Sequence, residues 1–211
     1  MAMEFRAPLT LEGSRVVLEP LSRDRLDEFV VAGKDPEIWR YLLTGDVRGT
    51  EGMRRLLDLL LARQAEGTDL AFGVTDRRSG RAIGMTRYLA IRREDFSVEI
   101  GGTWYDPRYW RTAVNTEAKY LLLRHAFETE GCHRVEFKMD VANLRSQRAI
   151  ERLGAVREGV LREHRLRPDG RFRSSVYYGI LVAEWPAVKL RLERFLGGPP
   201  GGGAAATPAA P

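Results

Sequence analysis

The residues best suited to bind a ligand or to catalyse a reaction lie where a strand, a short loop and a long helix follow one another. Asp106-Pro107 ends the strand, because proline lacks an amide hydrogen and restricts the residue before it. From Val114 the apolar residues recur at helical spacing, and Thr112 or Asn115 is positioned to cap the first turn. A helix N-terminus presents unpaired backbone amides and the positive end of the helix dipole. The arrangement therefore predicts a site for a phosphate.

The strand before this loop alternates between an apolar and a polar face. Its apolar face carries Phe96, Val98 and Ile100, and its polar face carries Ser97 and Glu99. Gly101 and Gly102 then interrupt the side-chain pattern. Paired glycines inside a strand predict a bulge, or a place where a ligand or another backbone comes close.

The rest of the pattern predicts the elements that must hold this loop in place. Strands are predicted at 9–21 (as a strand or hairpin), 70–75, 82–91, 134–141, 156–166 and 172–183, the last two joined at Pro168-Asp169-Gly170. Helices are predicted from the cap at Ser22 to the stop at Gly33, from Asp35-Pro36, at 53–65, from Val114 to Phe127, at 143–153 before Gly154, and at 184–195. Residues 44–52 are polar and predict a loop.

This order of elements predicts a single α+β domain over residues 1–196. A helix between the strands at 96–105 and 134–141 is a crossover, so these two strands can pair in parallel within a mostly antiparallel sheet. Residues 197–211 are rich in glycine, proline and alanine and carry no charge, which predicts a disordered tail.

Composition excludes several classes of protein. No apolar run approaches the roughly 18 residues of a membrane span, and the N-terminus lacks the apolar core of a signal peptide. Cys132 is the only cysteine, so an internal disulfide is impossible, and the three histidines lack metal-ligand spacing. We therefore expect no metal and a reducing, cytoplasmic setting. The net charge of +5 is dispersed among acidic residues, which argues against nucleic acid as a partner.

Three segments together resemble a known enzyme superfamily. They are VEIGGTWYDPRYW before the loop, NTEAKYLLLRHAFE in the helix, and RVEFKMDVANLRSQRAIERLGAVREGVLR after it. The sequence resembles the Gcn5-related N-acetyltransferases (GNAT), and within them the branch that acetylates the N-termini of ribosomal proteins. The resemblance spans residues 9–196. It implies the GNAT fold, a sheet with flanking helices whose parallel strand pair splays apart to admit acetyl-coenzyme A.

One segment departs from the pattern of this superfamily. The pyrophosphate loop usually reads Arg/Gln-x-x-Gly-x-Gly/Ala, and here Trp110, Ala113 and Asn115 stand in place of its first, fourth and sixth residues. Glycine is favoured there because backbone must approach phosphate closely. Alanine keeps most of that access and asparagine tolerates left-handed geometry, so we expect coenzyme A binding to survive.

The resemblance implies a set of functional residues. Expected cofactor contacts are Trp104, Tyr105, Arg111, Thr112, Ala113, Val114, Asn115, Thr116, Asn143 and Ser146, and Arg145 and Arg148 are further candidates for phosphate. Trp39 and Glu99 are expected at the substrate, with Trp104 and Tyr105 as further candidates for the acceptor groove. Each of these residues also has a plain structural interpretation: aromatic core, helix cap or surface arginine.

Acetyl transfer to an amine needs a base for the amine, a donor for the oxyanion and an acid for the thiolate. The candidate base is Glu99, acting directly or through a water, and its alternative is a solvated or ion-paired strand residue. The candidate acid is Ser146, with Tyr177 or Tyr178 as the other possibilities. Cys132 is expected to be inert, because direct attack on the thioester requires no covalent cysteine.

The predicted function is an N-acetyltransferase that moves an acetyl group from acetyl-coenzyme A to a primary amine, with a protein N-terminus as the first candidate. Alternatives are a small-molecule amine as acceptor, or a non-catalytic acyl-coenzyme A-binding or regulatory module on the same fold. A homodimer is compatible with the superfamily. The segments 44–52 and 161–173 are expected to choose the acceptor, which fold alone does not fix.

Overall fold

The computed structural model describes residues 3–198. The strands are β1 (Leu11–Glu12), β2 (Val16–Pro20), β3 (Leu70–Asp76), β4 (Arg81–Arg92), β5 (Ser97–Tyr105), β6 (Arg134–Asp140), β7 (Val156–Leu166) and β8 (Phe172–Leu181). The helices are α1 (Leu26–Ala32), α2 (Gly49–Ala65), α3 (Val114–Arg124), α4 (Leu144–Leu153) and α5 (Trp185–Leu196). Short 3-10 turns lie at Arg23–Arg25, Pro36–Ile38 and Pro107–Tyr109, and α3 continues into a π-helical turn at His125–Thr129. The predicted disordered tail lies, from residue 199 onward, outside the described residues.

The strands form one sheet in the order β1-β2-β3-β4-β5-β6-β8-β7. Every neighbouring pair is antiparallel except β5 and β6, which are parallel, as the crossover through α3 predicts. The predicted α+β class and mixed, mostly antiparallel sheet are therefore confirmed.

The core consists of two layers, one on each face of the sheet. On one face α3, α4 and α5 pack over β4, β5, β6 and β8, and this layer includes Tyr88, Ile100 and Leu122. On the other face α1 and α2 pack over β3 and β4, around Phe29 and Trp104. No helix within residues 3–198 is long and apolar enough to cross a membrane.

Three local predictions need correction. Alternation predicts that Phe96 shares the buried face of Val98 and Ile100, but Phe96 is 43% exposed and has a positive φ of 48°, so β5 begins only at Ser97. The polar face of this strand is also not solvated, since Ser97 and Glu99 are both buried. The loop predicted at 44–52 is shorter, because α2 begins at Gly49.

One buried carboxylate ties α3 to the first hairpin. Glu117 is 0% exposed and accepts the backbone amides of Arg15 and Val16 at 2.6 and 2.8 Å. A Cβ at Gly13 would lie 2.6 Å from the same carboxylate, so this turn requires glycine. The hairpin is thereby fixed to the helix that follows the predicted phosphate loop.

Candidate active site

The parallel strands of the sheet separate at a definite residue. β5 and β6 pair only at Ser97–Arg134, Val98–Val135 and Glu99–Glu136. Beyond these pairs β5 runs on to Tyr105 and β6 to Asp140 without pairing to each other. Glu99 therefore occupies the last position before the gap, and its side chain is only 5% exposed.

The Glu99 carboxylate has a specific cationic partner. Its Oε2 accepts a hydrogen bond of 2.8 Å from Nζ of Lys138, on the neighbouring strand β6. A Cβ at Gly101 would lie 3.1 Å from Oε1 of Glu99, so the absence of a side chain there leaves room for the carboxylate. Gly102 has a φ of 57° and forms the predicted bulge, where the register of β4 and β5 shifts. The two glycines thus position Glu99 at the gap.

Tyr177 lies on the same face as this ion pair. It is the partner of Lys138 across β6 and β8, and the lysine Nζ lies 5.7 Å from its ring centroid. Its hydroxyl is 3.5 Å from Nε2 of His164 on β7. Partial burial and the charge of Lys138 lower the pKa of His164. Glu99, Lys138, Tyr177 and His164 consequently form a continuous polar row on one face of the sheet.

Tyr178 faces the opposite side. It is fully buried, and its hydroxyl donates to Oε1 of Glu151 on α4 at 2.7 Å. Burial and this carboxylate raise the pKa of Tyr178 to about 12. Of the two tyrosines considered as acid, only Tyr177 shares a face with Glu99.

The predicted phosphate loop is held by its own hydrogen bonds. Thr112 Oγ1 accepts the amide of Val114 at 3.3 Å and donates to the carbonyl of Tyr109, so threonine rather than Asn115 caps α3. The side chain of Asn115 is half-buried and makes no hydrogen bond within residues 3–198. Ala113 occupies the cap position of the backbone. The first amides of α3 have no acceptor within the helix and remain suited to an anion.

Trp110 stands where the superfamily has arginine or glutamine, and a cation reaches this position from another element. The indole Nε1 of Trp110 donates to the carbonyl of Tyr105 at 3.0 Å. The guanidinium of Arg145, in the first turn of α4, lies 3.8 Å from the centroid of the Trp110 ring. A guanidinium stacked on an indole is held in place without being neutralised. Arg145 of α4 therefore places a positive charge beside this loop, at the position of the superfamily's arginine or glutamine.

The helix α4 begins directly after β6. Asn143 caps it, accepting the amide of Ser146 at 3.1 Å. Near the other end of α4, Arg152 donates to the hydroxyl of Thr116 on α3 at 2.6 Å. Because α3 follows β5 and α4 follows β6, and these two strands are parallel, both helices begin at the same edge of the sheet.

Several arginines in this region lack an acidic partner. About half of the arginines of residues 3–198 form an ion pair, and four around these two helices are among those that do not: Arg111, Arg145, Arg148 and Arg152. Arg111 also has a positive φ of 60°, which places it at the turn into the helix. Guanidinium groups without carboxylates beside a helix N-terminus fit the phosphates of coenzyme A.

The aromatic residues predicted at the ligands are buried. Trp39 and Trp104 are 3% and 5% exposed, and their ring centroids are 5.1 Å apart. The indole of Trp39 donates to the carbonyl of Gly33 at 2.9 Å. Tyr105 and Val114 are also buried, and burial raises the pKa of the Tyr105 hydroxyl. Their burial agrees with the alternative interpretation as aromatic core, and their contact with a ligand stays a prediction.

Cys132 has the properties of a packing residue. It is 1% exposed, and its Sγ lies 3.4 Å from Sδ of Met3. Burial raises the pKa of this thiol to about 12, so the nucleophilic thiolate is suppressed. The expectation of an inert cysteine agrees with this environment.

Sequence reasoning missed Lys138 and Arg173. In RVEFKMD the apolar residues alternate with charged ones, and this alternation places Lys138 on the charged face. The missing step was the register of β6 against β5, which sets Glu99 beside it. Arg173 lies at the start of β8 in a hairpin whose composition carried no signal for function.

Comparisons with known proteins agree with this geometry. Residues 15–156 match the family described as the acetyltransferase (GNAT) domain. The crystal structure of a candidate acetyltransferase from T. thermophilus is 43% identical, covers 90% of this chain and 97% of its own, and superposes with a TM-score of 0.82. A GCN5-related N-acetyltransferase from Brucella melitensis is 29% identical over 89% of this chain and 85% of its own, with a TM-score of 0.83.

A more distant structure carries a ligand. Mycobacterium smegmatis RimJ in complex with CoA-disulfide is 21% identical, covers 90% of this chain and 96% of its own, and has a TM-score of 0.77. At this identity the likeness shows a shared fold. The family match covers more than half of the chain, so the chain belongs to the acetyltransferase (GNAT) family. It is an acetyltransferase, and the predicted resemblance is confirmed.

Proposed function

We propose that this chain transfers an acetyl group from acetyl-coenzyme A to a primary amine by direct attack. The observation that carries the proposal is the position of Glu99. Its buried carboxylate lies at the residue where β5 and β6 part, on the strand whose end leads into the phosphate loop. Acetyl-coenzyme A is supported by the unpaired arginines and the two helix N-termini beside the gap.

Two side chains of the chain carry the proton transfers. Glu99 accepts the proton of the attacking ammonium, directly or through a water. The amine nitrogen then forms a bond to the thioester carbon, and the carbon–sulfur bond breaks. Ser146, in the first turn of α4, donates a proton toward the departing sulfur. Proton transfers of this kind typically contribute a factor of about 10² to 10⁴ each.

A protein N-terminus is the acceptor that we propose first. It is supported by the likeness of the sequence to the branch that acetylates ribosomal proteins, and by the fold shared with RimJ. A small-molecule amine is the alternative, because one fold serves many acceptors. A homodimer and a cytoplasmic location remain predictions.

Two measurements on the purified chain test the proposal. Isothermal titration with acetyl-coenzyme A measures binding, and a thiol-release assay over amines and N-terminal peptides measures transfer. Binding followed by thiol release supports the proposal. Binding without release from any amine would instead favour a non-catalytic acyl-coenzyme A-binding module. An absence of binding would contradict both functions.

The role of Arg145 yields a separate prediction. Arg145→Met should raise the Kd for coenzyme A about 10-fold, since a hydrogen bond to a charged group is worth about 1.5–3 kcal/mol. The loss should shrink at high salt, which screens the interaction. Titration calorimetry at two salt concentrations measures it. Arg162→Met, on the exposed strand β7, is the control and should keep the original Kd. Equal Kd values for both variants would remove Arg145 from the phosphate site.

A further inference from the structure

The buried guanidinium of Arg173 lacks the partner that such a group normally has. Arg173 is 7% exposed, and its Nη1 donates to the backbone carbonyl of Tyr41 at 2.9 Å. Its Nε is buried without an acceptor in residues 3–198, and no carboxylate of that range forms an ion pair with it. Burial of an unpaired charge is expensive and here lowers the pKa of Arg173. A buried polar group without a partner calls for a specific explanation, and a bound ligand is one that the chemistry of a guanidinium permits.

Arg173 lies on the same face of the sheet as the polar row that contains Glu99, Lys138 and Tyr177. Along β8 the side chains of Arg173, Ser175 and Tyr177 point to one side, because successive residues alternate. Tyr177 is the cross-strand partner of Lys138, whose Nζ donates a hydrogen bond to the carboxylate of Glu99. The hydroxyl of Ser175, between them, is also buried without a partner in the described residues. Glu99 is among the carboxylates whose charge acts on Arg173, so the two side chains are near enough to bind one acceptor molecule.

Two loops meet above Arg173. The carbonyl that it contacts belongs to Tyr41, in the connection between the turn at Pro36–Ile38 and α2. In the same connection a Cβ at Gly45 would lie 3.1 Å from Cγ of Pro168, at the tip of the β7–β8 hairpin. Gly45 and Pro168 lie within the two segments expected to choose the acceptor, 44–52 and 161–173. Arg173 thus belongs to one of these segments and its guanidinium contacts the connection that contains the other.

The charges around this end favour an anion. Arg165 is the cross-strand partner of Arg173, and Arg167 lies nearby. Two carboxylates are near enough for their charges to raise the pKa of Arg173. Asp140 already forms an ion pair with Arg167, and Glu99 already forms one with Lys138. A polycationic acceptor such as a polyamine would meet repulsion there, whereas a guanidinium binds a carboxylate through two parallel hydrogen bonds.

We propose that Arg173 binds a carboxylate of the acetyl acceptor, so that the acceptor is a primary amine that also carries a carboxylate. This inference rests on the proposed acetyl transfer and narrows its substrate class. The amine lies at Glu99, and the carboxylate replaces the Tyr41 carbonyl or joins it on Arg173. Such an acceptor is either a free amino acid or the N-terminus of an acidic peptide, which share this chemistry.

Matched pairs of acceptors test the proposal on the full chain. Thiol release from acetyl-coenzyme A is measured with amino acids against their carboxamides, and with N-terminal tetrapeptide amides containing Asp or Glu against the same peptides with Asn or Gln. We expect a kcat/KM that is about 10- to 100-fold higher for the carboxylate member of a pair. The pair with the larger ratio identifies the source. Equal rates within every pair would overturn the inference while leaving acetyl transfer intact, and no release from any amine would contradict acetyl transfer itself.

Variants separate recognition from folding. Arg173→Met should abolish the preference through KM, with kcat for the carboxamide members largely kept, and Arg173→Lys should restore part of it. Arg55→Met is the control, because Arg55 is exposed on α2 and lies outside both segments expected to choose the acceptor. Thermal unfolding of each variant verifies that it folds. A folded Arg173→Lys or Arg173→Met protein that retains the full preference would overturn the assignment.

Discussion

Glu99→Gln should lower turnover by about 10²- to 10⁴-fold, the range expected for the loss of a general base. Glutamine has nearly the same shape and can still accept a hydrogen bond from Lys138, so the strand and the gap beside it should persist. What it lacks is the capacity to take a proton from the attacking amine. The affinity for acetyl-coenzyme A should therefore change little, because the proposed phosphate contacts come from α3, α4 and their loops.

The matched control for Glu99→Gln is the same substitution at a neighbouring glutamate of the sheet, Glu136. Glu136 is the residue paired with Glu99 across β5 and β6, but it is held by Arg92 and Arg134. Glu136→Gln should therefore retain turnover within a few-fold. Single-turnover kinetics with saturating acetyl-coenzyme A and titration calorimetry measure the two quantities. A Glu99→Gln protein with the original turnover, or an equal loss in both variants, would contradict the assigned role.

Substitution of Ser146 should also lower turnover, but by less than Glu99→Gln does. Its backbone amide is used by the cap at Asn143, while its hydroxyl makes no hydrogen bond in residues 3–198. Ser146→Ala should therefore leave α4 intact and lower turnover more than it changes the Kd of acetyl-coenzyme A. The loss should be greatest with acetyl donors whose leaving thiol is a poor leaving group. An equal loss for all donors would argue against proton donation by this hydroxyl.

Local patterns in the sequence were sufficient for most of the fold. Gly154 has a φ of 111° at the end of α4, and Pro168-Asp169-Gly170 forms the β7–β8 turn, as their types predict. Phe96 was misplaced because alternation alone does not reveal a positive φ before a strand. The start of α2 was misplaced because two glycines near its first turn resemble a loop, although Gly52 packs against the backbone of Val47 there.

The candidate site was less accessible to sequence reasoning. Glu99 was predicted from the polar face of its strand and Asn143 from a resemblance, and neither kind of argument identifies the residues that contact them. The partners of Glu99, by contrast, depend on the register of three strands that are far apart in sequence, and no local pattern fixes that register. The same limitation hid the stack of Arg145 on Trp110, in which a cation from one helix occupies the place of a missing loop residue.

Lys119 is a buried lysine whose charge state should control stability. It lies on α3, is 3% exposed, and its Nζ donates to Oγ1 of Thr103 at 2.6 Å. The hydroxyl of Thr103 is also 2.8 Å from that of Thr86, so β4 and β5 are joined by two threonines and one amine. No carboxylate of residues 3–198 pairs with this amine, and burial lowers its pKa from 10.5 to about 7.

The direction of the pH effect follows from this shift. Below pH 7 the lysine is protonated in the folded and the unfolded chain, and the folded state bears the cost of a buried charge. Between about pH 7 and 10.5 the unfolded chain holds the proton and the folded chain does not, so stability rises with pH. From pH 7 to 9 the free energy of unfolding should increase by about 2 kcal/mol from this group.

Lys119→Met should remove that increase, because methionine fills a similar volume and does not titrate. Urea unfolding at pH 6, 7, 8 and 9 measures the difference between the variant and the original chain, in which all other titrating groups cancel. At pH 6 the variant should be the more stable protein, since Thr86 and Thr103 still bond to each other. Lys34→Met, at an exposed lysine, is the control and should follow the original chain. Parallel stability curves for Lys119→Met and the original chain would mean that the amine remains charged in the fold. In that case bound solvent, or a group outside residues 3–198, would have to stabilise the charged amine of Lys119.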